Sequence, residues 1–164
     1  MHGGLRLKVF CPVLLSGKYI PTKYAGKGVK GGQGVSLPLS WSDVPKGASS
    51  FALTMIDQHP SARNQVHWFV INIPGSTREI VEAASGVRLR MPSGSMELRN
   101  SFGDTPYVGP QPAPGSGPHQ YVITIHALKA DSLRLGPYAP LEQSTAEMKK
   151  HVIDTGSVAG WFDQ

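Results

Sequence analysis

The chain has 164 residues and a formal net charge of +5, from 16 Lys or Arg and 11 Asp or Glu. This length predicts a single domain, residues 1–164, that buries enough surface to fold without a disulfide or a metal. Apolar residues make up 40% of the chain and charged residues 16%, which excludes a disordered protein. The 19 Gly and 14 Pro disfavour a mostly helical protein, so short strands joined by many turns are expected.

The charged residues are scattered rather than clustered, so nucleic-acid binding is not predicted. Cys11 stands alone and forms no internal disulfide. Arg6 and Lys8 precede the short apolar stretch 9–15, but Pro12 breaks that stretch and no signal-peptide cleavage site follows it. No apolar run reaches the roughly 18 residues of a membrane-spanning helix. We therefore expect a soluble, cytoplasmic protein.

Strand patterns occur in four segments. Residues 5–11 alternate loosely between apolar and charged side chains, as in a half-exposed strand. Ser50–Asp57 is the first strong strand, and residues 67–74 are apolar almost throughout, which is typical of a strand buried on both faces. Residues 121–128 are rich in β-branched side chains and predict the last strand.

Helix and loop patterns lie between and after these strands. Residues 76–79 have a capping-box sequence and predict a short helix that ends at Gly86. Residues 91–117 show no periodicity and predict a long ordered loop, of the kind that often binds a ligand or acts as a lid. Residues 144–154 predict a second helix, capped by Ser144 and stopped by Gly156. The expected fold class is mostly β and antiparallel, with one or two peripheral helices.

Three of the predicted strands carry polar residues at one end: Asp57, His67, and His119 with Tyr121. Strand alternation predicts that each polar residue shares a face with apolar residues of its own strand. These are Phe51, Leu53 and Met55 for Asp57, then Phe69, Ile71 and Ile73 for His67, and Ile123 and Ile125 for His119 and Tyr121. If these ends meet, two imidazoles, a phenol and the amides of a Gly-rich loop can hold a small anion such as phosphate. Asp57 would orient an imidazole and keep it protonated by raising its pKa.

Other site chemistries fit the same residues less well. Asp57, His67 and His119 could form a metal site with two histidines and one carboxylate, but no local ligand spacing supports it. Nucleophilic catalysis needs an activated side chain, and Ser116 lacks the strand-to-helix context of a nucleophile motif. His59 is predicted to be a surface or structural residue.

Short motifs in order along most of the chain resemble the phosphatidylethanolamine-binding protein family, which includes Raf kinase inhibitor protein. The long loop and the strand before it match best. The motifs are Gly17…Ile20-Pro21…Tyr24, Leu37-Pro38-Leu39-Ser40-Trp41, His67-Trp68…Asn72-Ile73-Pro74, Asn100-Ser101-Phe102-Gly103, Tyr107-Val108-Gly109-Pro110 and Gly117-Pro118-His119-Gln120-Tyr121. Their spacing is similar to that of the short bacterial and archaeal members.

The resemblance implies a β-sandwich-like fold with an anion pocket at one end. Carried over by position, the ligand-binding residues are Asp57, Pro60, His67, Gly109, Pro112, His119 and Tyr121. It implies no cofactor and no catalytic residue. The expected ligand is a small anion or a phosphorylated or phospholipid head group, and the expected protein partner is a kinase or a protease that the chain inhibits. A homodimer is compatible with the short members of the family.

This sequence departs from the family pattern in the turn after Asp57. The family's second Asp is replaced by His59, in a turn that is one residue shorter. Loss of that negative charge predicts tighter anion binding. The alternative to a binding protein is a small hydrolase or lyase in which His67 or His119 acts as general base beside Asp57. A nucleophile or water within about 3 Å of an imidazole would favour the enzyme.

Overall fold

The computed structural model describes residues 6–14 and 18–164. The start of the first predicted strand at Leu5, the end of the apolar stretch at Leu15 and the motif residue Gly17 lie outside these residues. No helix in these two ranges is long and apolar enough to cross a membrane.

Strands dominate the described part of the chain, as the sequence predicts. They are β1 Lys8–Phe10, β2 Leu39–Ser42, β3 Ser50–Asp57, β4 Gln65–Pro74, β5 Glu79–Ile80, β6 Met96–Glu97, β7 His119–Leu128 and β8 Val152–Phe162, with one α-helix, α1 Leu141–Lys149. Three strands pair in the order β1-β2-β5 and five in the order β6-β4-β3-β7-β8. Every strand pairing is antiparallel, which confirms the expected fold class.

Two apolar clusters lie on the two faces of the larger sheet. One face packs against the smaller sheet, where Trp41 of β2 meets Phe51 of β3 at a ring-centroid distance of 5.4 Å. The other face is covered by Met148 of α1 and by Leu133 from the segment before it. β3 and β4 are therefore buried on both faces, which explains why they are apolar almost throughout.

The first predicted helix is not formed. The chain turns after Pro74 and continues as β5, which pairs with β2 through Leu39 and Ile80. Ile80 is 2% exposed, so pairing buries an apolar side chain that an isolated helical turn would leave in water. Tertiary contacts thus override the local capping pattern of residues 76–79.

The second predicted helix is displaced and shortened. It spans Leu141–Lys149, and Ser144 is a buried residue within it rather than its cap. Beyond it the chain forms β8, which pairs along the whole of β7 and passes through Gly156 without a stop. Close packing requires a glycine at position 156, because a Cβ on Gly156 would overlap the carbonyl of Leu7 beside β1.

Replacing Gly156 with Ala should destabilise the fold by more than about 1 kcal/mol, because the Leu7 backbone has to shift to admit a methyl group. Gly136 is the matched control, since a Cβ there meets no atom within 4 Å. Gly136→Ala should stay within about 0.5 kcal/mol of the parent chain. Urea unfolding measures both, and equal stabilities for the two variants would contradict this account of Gly156.

Candidate functional site

Strand pairing brings the predicted polar strand ends together. Because β3 is antiparallel to both of its neighbours, its last residue lies beside the beginnings of β4 and β7. Asp57 pairs with Gln65 on one side and with Tyr121 on the other. Asp57 and His67 are each 2% exposed, His119 is 4% exposed and Tyr121 is fully buried. The cluster is therefore a buried polar group at one end of the sheet.

His67 joins this cluster through a β-bulge. Met55 pairs with Trp68, whereas the next residue, Ile56, pairs with Val66, so β4 has one extra residue at His67. Strict alternation is interrupted there, and the His67 ring lies against the ring of Tyr121 with a centroid distance of 5.1 Å. The bulge thus orients His67 toward the Asp57 side of the sheet.

The predicted common face of β4 is wrong for the same reason. Phe69 and Ile71 belong to the cluster under α1, whereas Ile73 belongs to the core between the sheets. A second register shift separates them, at Asn72, whose φ of 57° is left-handed. Each bulge changes which face the following side chains occupy, and alternation alone does not reveal either one.

The Asp57 carboxylate is satisfied by two donors. His119 Nδ1 lies 2.7 Å from Asp57 Oδ2, and the backbone N–H of His59 donates to Oδ1 over 2.9 Å. A carboxylate only accepts hydrogen bonds, so His119 carries a proton on Nδ1. Asp57 therefore orients His119, as expected from the sequence.

His59 is half-buried and covers His119. The two rings are stacked with a centroid distance of 3.9 Å and an interplanar angle of 8°. His59 Nδ1 accepts the backbone N–H of Ser61 over 3.1 Å at the start of the 3-10 turn Pro60–Ala62. His59 was predicted to be surface or structural, and the signal that links it to the site is its position two residues after Asp57.

The backbone of Val108 holds His67 in place. Its N–H donates to the His67 carbonyl over 3.0 Å, and its carbonyl accepts from His67 Nδ1 over 2.8 Å. Phe102, from the same long loop, packs against the His67 ring with a centroid distance of 5.0 Å. Because Nδ1 is the donor, the neutral His67 ring presents a lone pair at Nε2.

Two buried polar atoms of the cluster have no partner among the described residues: His67 Nε2 and the Tyr121 hydroxyl. Burial lowers the pKa of His67, although the Val108 carbonyl and the Asp57 charge act in the opposite direction. Burial, and then the charge and the nearby acceptor oxygens of Asp57, raise the pKa of Tyr121, which stays a neutral phenol; the hydroxyl lies near that carboxylate but makes no hydrogen bond of normal geometry.

The remaining predicted residues lie in the two loops beside this cluster. Gly109 is buried where the long loop crosses Tyr24–Gly26, and a Cβ on it would overlap that backbone. Pro112 is buried and its carbonyl accepts from Gln164 Nε2 over 2.6 Å. Pro60 is exposed and begins the 3-10 turn after His59. Gly109 and Pro112 contribute close loop packing, and the Gly109 backbone also acts on the His67 ring and raises its pKa, whereas Pro60 contributes to the turn after His59.

Ser116 lacks the sequence context of a nucleophile motif, yet it contacts the site. Its Oγ lies 3.0 Å from His119 Nε2, and it also donates to the Ala113 carbonyl over 2.6 Å. The nucleophile motifs applied to the sequence require a helix after the serine, whereas here a strand follows. Only its position three residues before His119 could have indicated the contact.

Both ring nitrogens of His119 are engaged, by Asp57 and by Ser116. A metal ion bound by Asp57, His67 and His119 would have to displace one of these contacts. Within residues 6–14 and 18–164, no group of three or more His, Cys, Asp or Glu side chains is arranged to hold a metal ion.

Comparisons with known proteins agree with this architecture. The family model described as phosphatidylethanolamine-binding protein matches residues 12–163. A UPF0098 protein of Aquifex aeolicus is 32% identical over 160 residues, covering 98% of this chain and 90% of the relative. LppC of Mycobacterium tuberculosis, named as a candidate lipoprotein, is 32% identical over 158 residues, covering 96% and 72%.

A solved structure shows the same fold. The crystal structure of Escherichia coli YbcL, described as a new member of the mammalian PEBP family, matches with a TM-score of 0.89 at 26% identity. The match covers 98% of this chain and 99% of YbcL. From the family match over most of its length and from this fold, the chain belongs to the phosphatidylethanolamine-binding protein family and groups with its bacterial and archaeal members.

Proposed function

We propose that this chain is a binding protein whose site at the end of the larger sheet takes a small anion or a phosphorylated head group, without turnover of that anion. The observation that carries the proposal is the pair of buried, unpartnered polar atoms, His67 Nε2 and the Tyr121 hydroxyl. A buried polar atom without a partner costs about 1–3 kcal/mol. Two such atoms on contacting rings are best explained by a ligand that satisfies both.

The two atoms make different demands on the ligand. The Tyr121 phenol donates a hydrogen bond, which suits an anionic oxygen. Neutral His67 offers a lone pair at Nε2, so it either accepts a hydrogen bond from the ligand, as from the P–OH group of a protonated phosphate, or takes up a proton when the anion binds. Phosphate and phosphate esters meet both demands because one group carries both anionic and protonated oxygens.

Asp57 is compatible with an anion nearby because its charge is already engaged. Both carboxylate oxygens accept hydrogen bonds, from His119 and from the His59 backbone. The stacked His59 ring occupies the turn where the family pattern has a second acidic residue. The site therefore has one carboxylate fewer than that pattern, which supports retention of an anion.

The biological partner and the place of action follow from the family resemblance alone. Inhibition of a protein kinase or a protease, a phospholipid as the source of the head group, and a homodimer all stay predictions. A cytoplasmic location also stays a prediction, and the lipoprotein name of LppC points to a different location for that relative.

The hydrolase alternative gains one specific observation. Ser116 Oγ lies 3.0 Å from His119 Nε2, which is the distance at which a nucleophile can pass its proton to a general base. This contact lies at the nitrogen of the His119 ring that faces away from Asp57. It does not involve His67 or the Tyr121 hydroxyl, so it is independent of the anion proposal.

Replacing His67 with Ala should abolish phosphate binding measured by calorimetry, because the variant loses the ring that meets the anion. His126→Ala is the matched control, since His126 is a half-buried histidine that contacts Thr54 on the other face of the sheet. The control should bind phosphate as the parent chain does. Unchanged phosphate affinity in His67→Ala would reject the proposed site.

Replacing Tyr121 with Phe should separate binding from stability. Loss of the hydroxyl removes one donor and should weaken phosphate binding about tenfold, the equivalent of about 1.4 kcal/mol. The same change removes a buried atom without a partner, so the free energy of unfolding in phosphate-free buffer should stay the same or rise. A marked loss of stability with unchanged affinity would show that the hydroxyl has a structural role.

Anion affinity should increase as the pH falls from 8 to 6. Burial lowers the pKa of free His67, and a bound anion raises it again, so the complex holds more protons than the free protein. Asp57, His119 and Tyr121 are the other ionisable groups beside His67. Sulfate is the probe, because it remains a dianion across this range. One proton taken up gives at most about a tenfold change in affinity per pH unit, and affinity that rises with pH would contradict the role of His67.

A further inference from the structure

Ser116, His119 and Asp57 are aligned through the two nitrogens of one imidazole. Ser116 Oγ is 3.0 Å from His119 Nε2, and His119 Nδ1 is 2.7 Å from Asp57 Oδ2. The imidazole is 4% exposed, and the His59 ring stacked on it restricts its rotation. These are the geometric relations that activate a serine hydroxyl: a base within hydrogen-bond reach, oriented by a third group.

The protonation of His119 decides what Ser116 does. When the ring is protonated on both nitrogens, Nε2–H donates to Ser116 Oγ and the hydroxyl donates to the Ala113 carbonyl. When only Nδ1 is protonated, as Asp57 requires, Nε2 is an acceptor. The Ser116 hydroxyl then donates a hydrogen bond to Nε2, because otherwise this lone pair would have no partner. The second state has a nucleophile and a base in contact.

The surroundings of Ser116 leave room for a reacting group. Ser116 is half-buried and lies between Gly115 and Gly117, whose φ angles are 81° and 86°. A Cβ built on either glycine meets no atom within 4 Å, so both sides of the serine are open. The backbone N–H of Gly117 donates to no other described residue, and the residue after a nucleophile is a common source of an oxyanion donor.

We propose that Ser116 is a catalytic nucleophile that accepts an acyl group from small esters, with His119 as its general base and Asp57 as the positioning residue. This activity goes beyond anion binding and uses a different edge of the same cluster. The open space beside Gly115 and Gly117 admits the carbonyl group of an ester. Gly117 N–H stabilises the oxygen that becomes negative during attack.

The reaction is balanced without any cofactor. Ser116 Oγ attacks the ester carbonyl carbon while its proton moves to His119 Nε2. The bond between the carbonyl carbon and the alcohol oxygen then breaks, and the proton on Nε2 passes to the departing alcohol. Water next attacks the acyl-serine, again losing its proton through His119, and releases a carboxylic acid with the Ser116 hydroxyl restored.

The test is acylation by p-nitrophenyl acetate, followed by nitrophenolate release and by mass spectrometry of the intact chain and its peptides. We expect one acetyl group, located on Ser116, and its absence in Ser116→Ala. Ser95 is an internal control: its hydroxyl donates to the Pro92 carbonyl, three residues earlier, over 2.6 Å, as Ser116 does to the Ala113 carbonyl, but among the described residues it makes no hydrogen bond with an imidazole. Ser116 should react at least about 100 times faster than Ser95.

The wild-type acylation rate should rise with pH as His119 loses its Nε2 proton. Asp57→Asn should lower the rate and move the midpoint of this pH profile downward, because an amide no longer stabilises the protonated ring. A purely structural role of Asp57 would lower the yield of folded protein without moving the midpoint. Should the Asp57 variant fail to fold, the wild-type profile and Ser116→Ala still decide the proposal.

The proposal is overturned if Ser116 stays unmodified, if it reacts no faster than Ser95, or if Ser116→Ala releases nitrophenolate at the parental rate. Phosphate titration of Ser116→Ala keeps this outcome separate from the binding proposal, because His67 and Tyr121 are intact in that variant. Phosphate binding without Ser116 acylation rejects only the nucleophile. Acylation without phosphate binding rejects only the anion site.

Discussion

The buried carboxylate of Asp57 is the constraint on which the site depends. It lies at the meeting point of β3, β4 and β7 with 2% of its surface exposed, and it is satisfied by His119 and by the His59 backbone. Removing the His119 donor would leave a buried charged acceptor without a partner, which costs more than about 1–3 kcal/mol. The carboxylate therefore fixes the tautomer of His119 and the path of the turn after β3. Through His119 it also determines where the Ser116 hydroxyl finds an acceptor.

The opposite half of the cluster is held less completely. His67 is fixed at Nδ1 by the Val108 carbonyl, but its Nε2 and the Tyr121 hydroxyl have no partner among the described residues. In the Asp57 and His119 half, the polar atoms have partners, whereas two polar atoms in the His67 and Tyr121 half have none. Such an arrangement favours ligand binding over stability. Proteins retain such atoms at functional sites, where a ligand completes the hydrogen bonds.

Gly and Pro give the long loop its role at this site. Gly109 permits close contact with the backbone of Tyr24–Gly26, and Gly115 and Gly117 adopt left-handed backbone angles on either side of Ser116. Gln164 holds the loop from the other side, through the Pro112 carbonyl and the Gly115 N–H. Part of the Gly and Pro content of the chain thus serves loop packing around the site. The net charge of +5 explains less, because the donors are local histidine, tyrosine and backbone groups.

The local sequence was sufficient to predict the mostly β class and both ends of β3. It also indicated the polar residues Asp57, His67, His119 and Tyr121. These features are local because strand alternation and burial leave a pattern over only a few residues. Contacts distant in sequence decided the rest. Pairing with β2 converted a capping-box segment into β5, and pairing with β7 carried β8 through Gly156. A bulge of one residue oriented His67, and a loop without periodicity placed Ser116 beside His119. The residues of the site can be recognised from the sequence, but their hydrogen bonds depend on the register between strands, which only the folded chain determines.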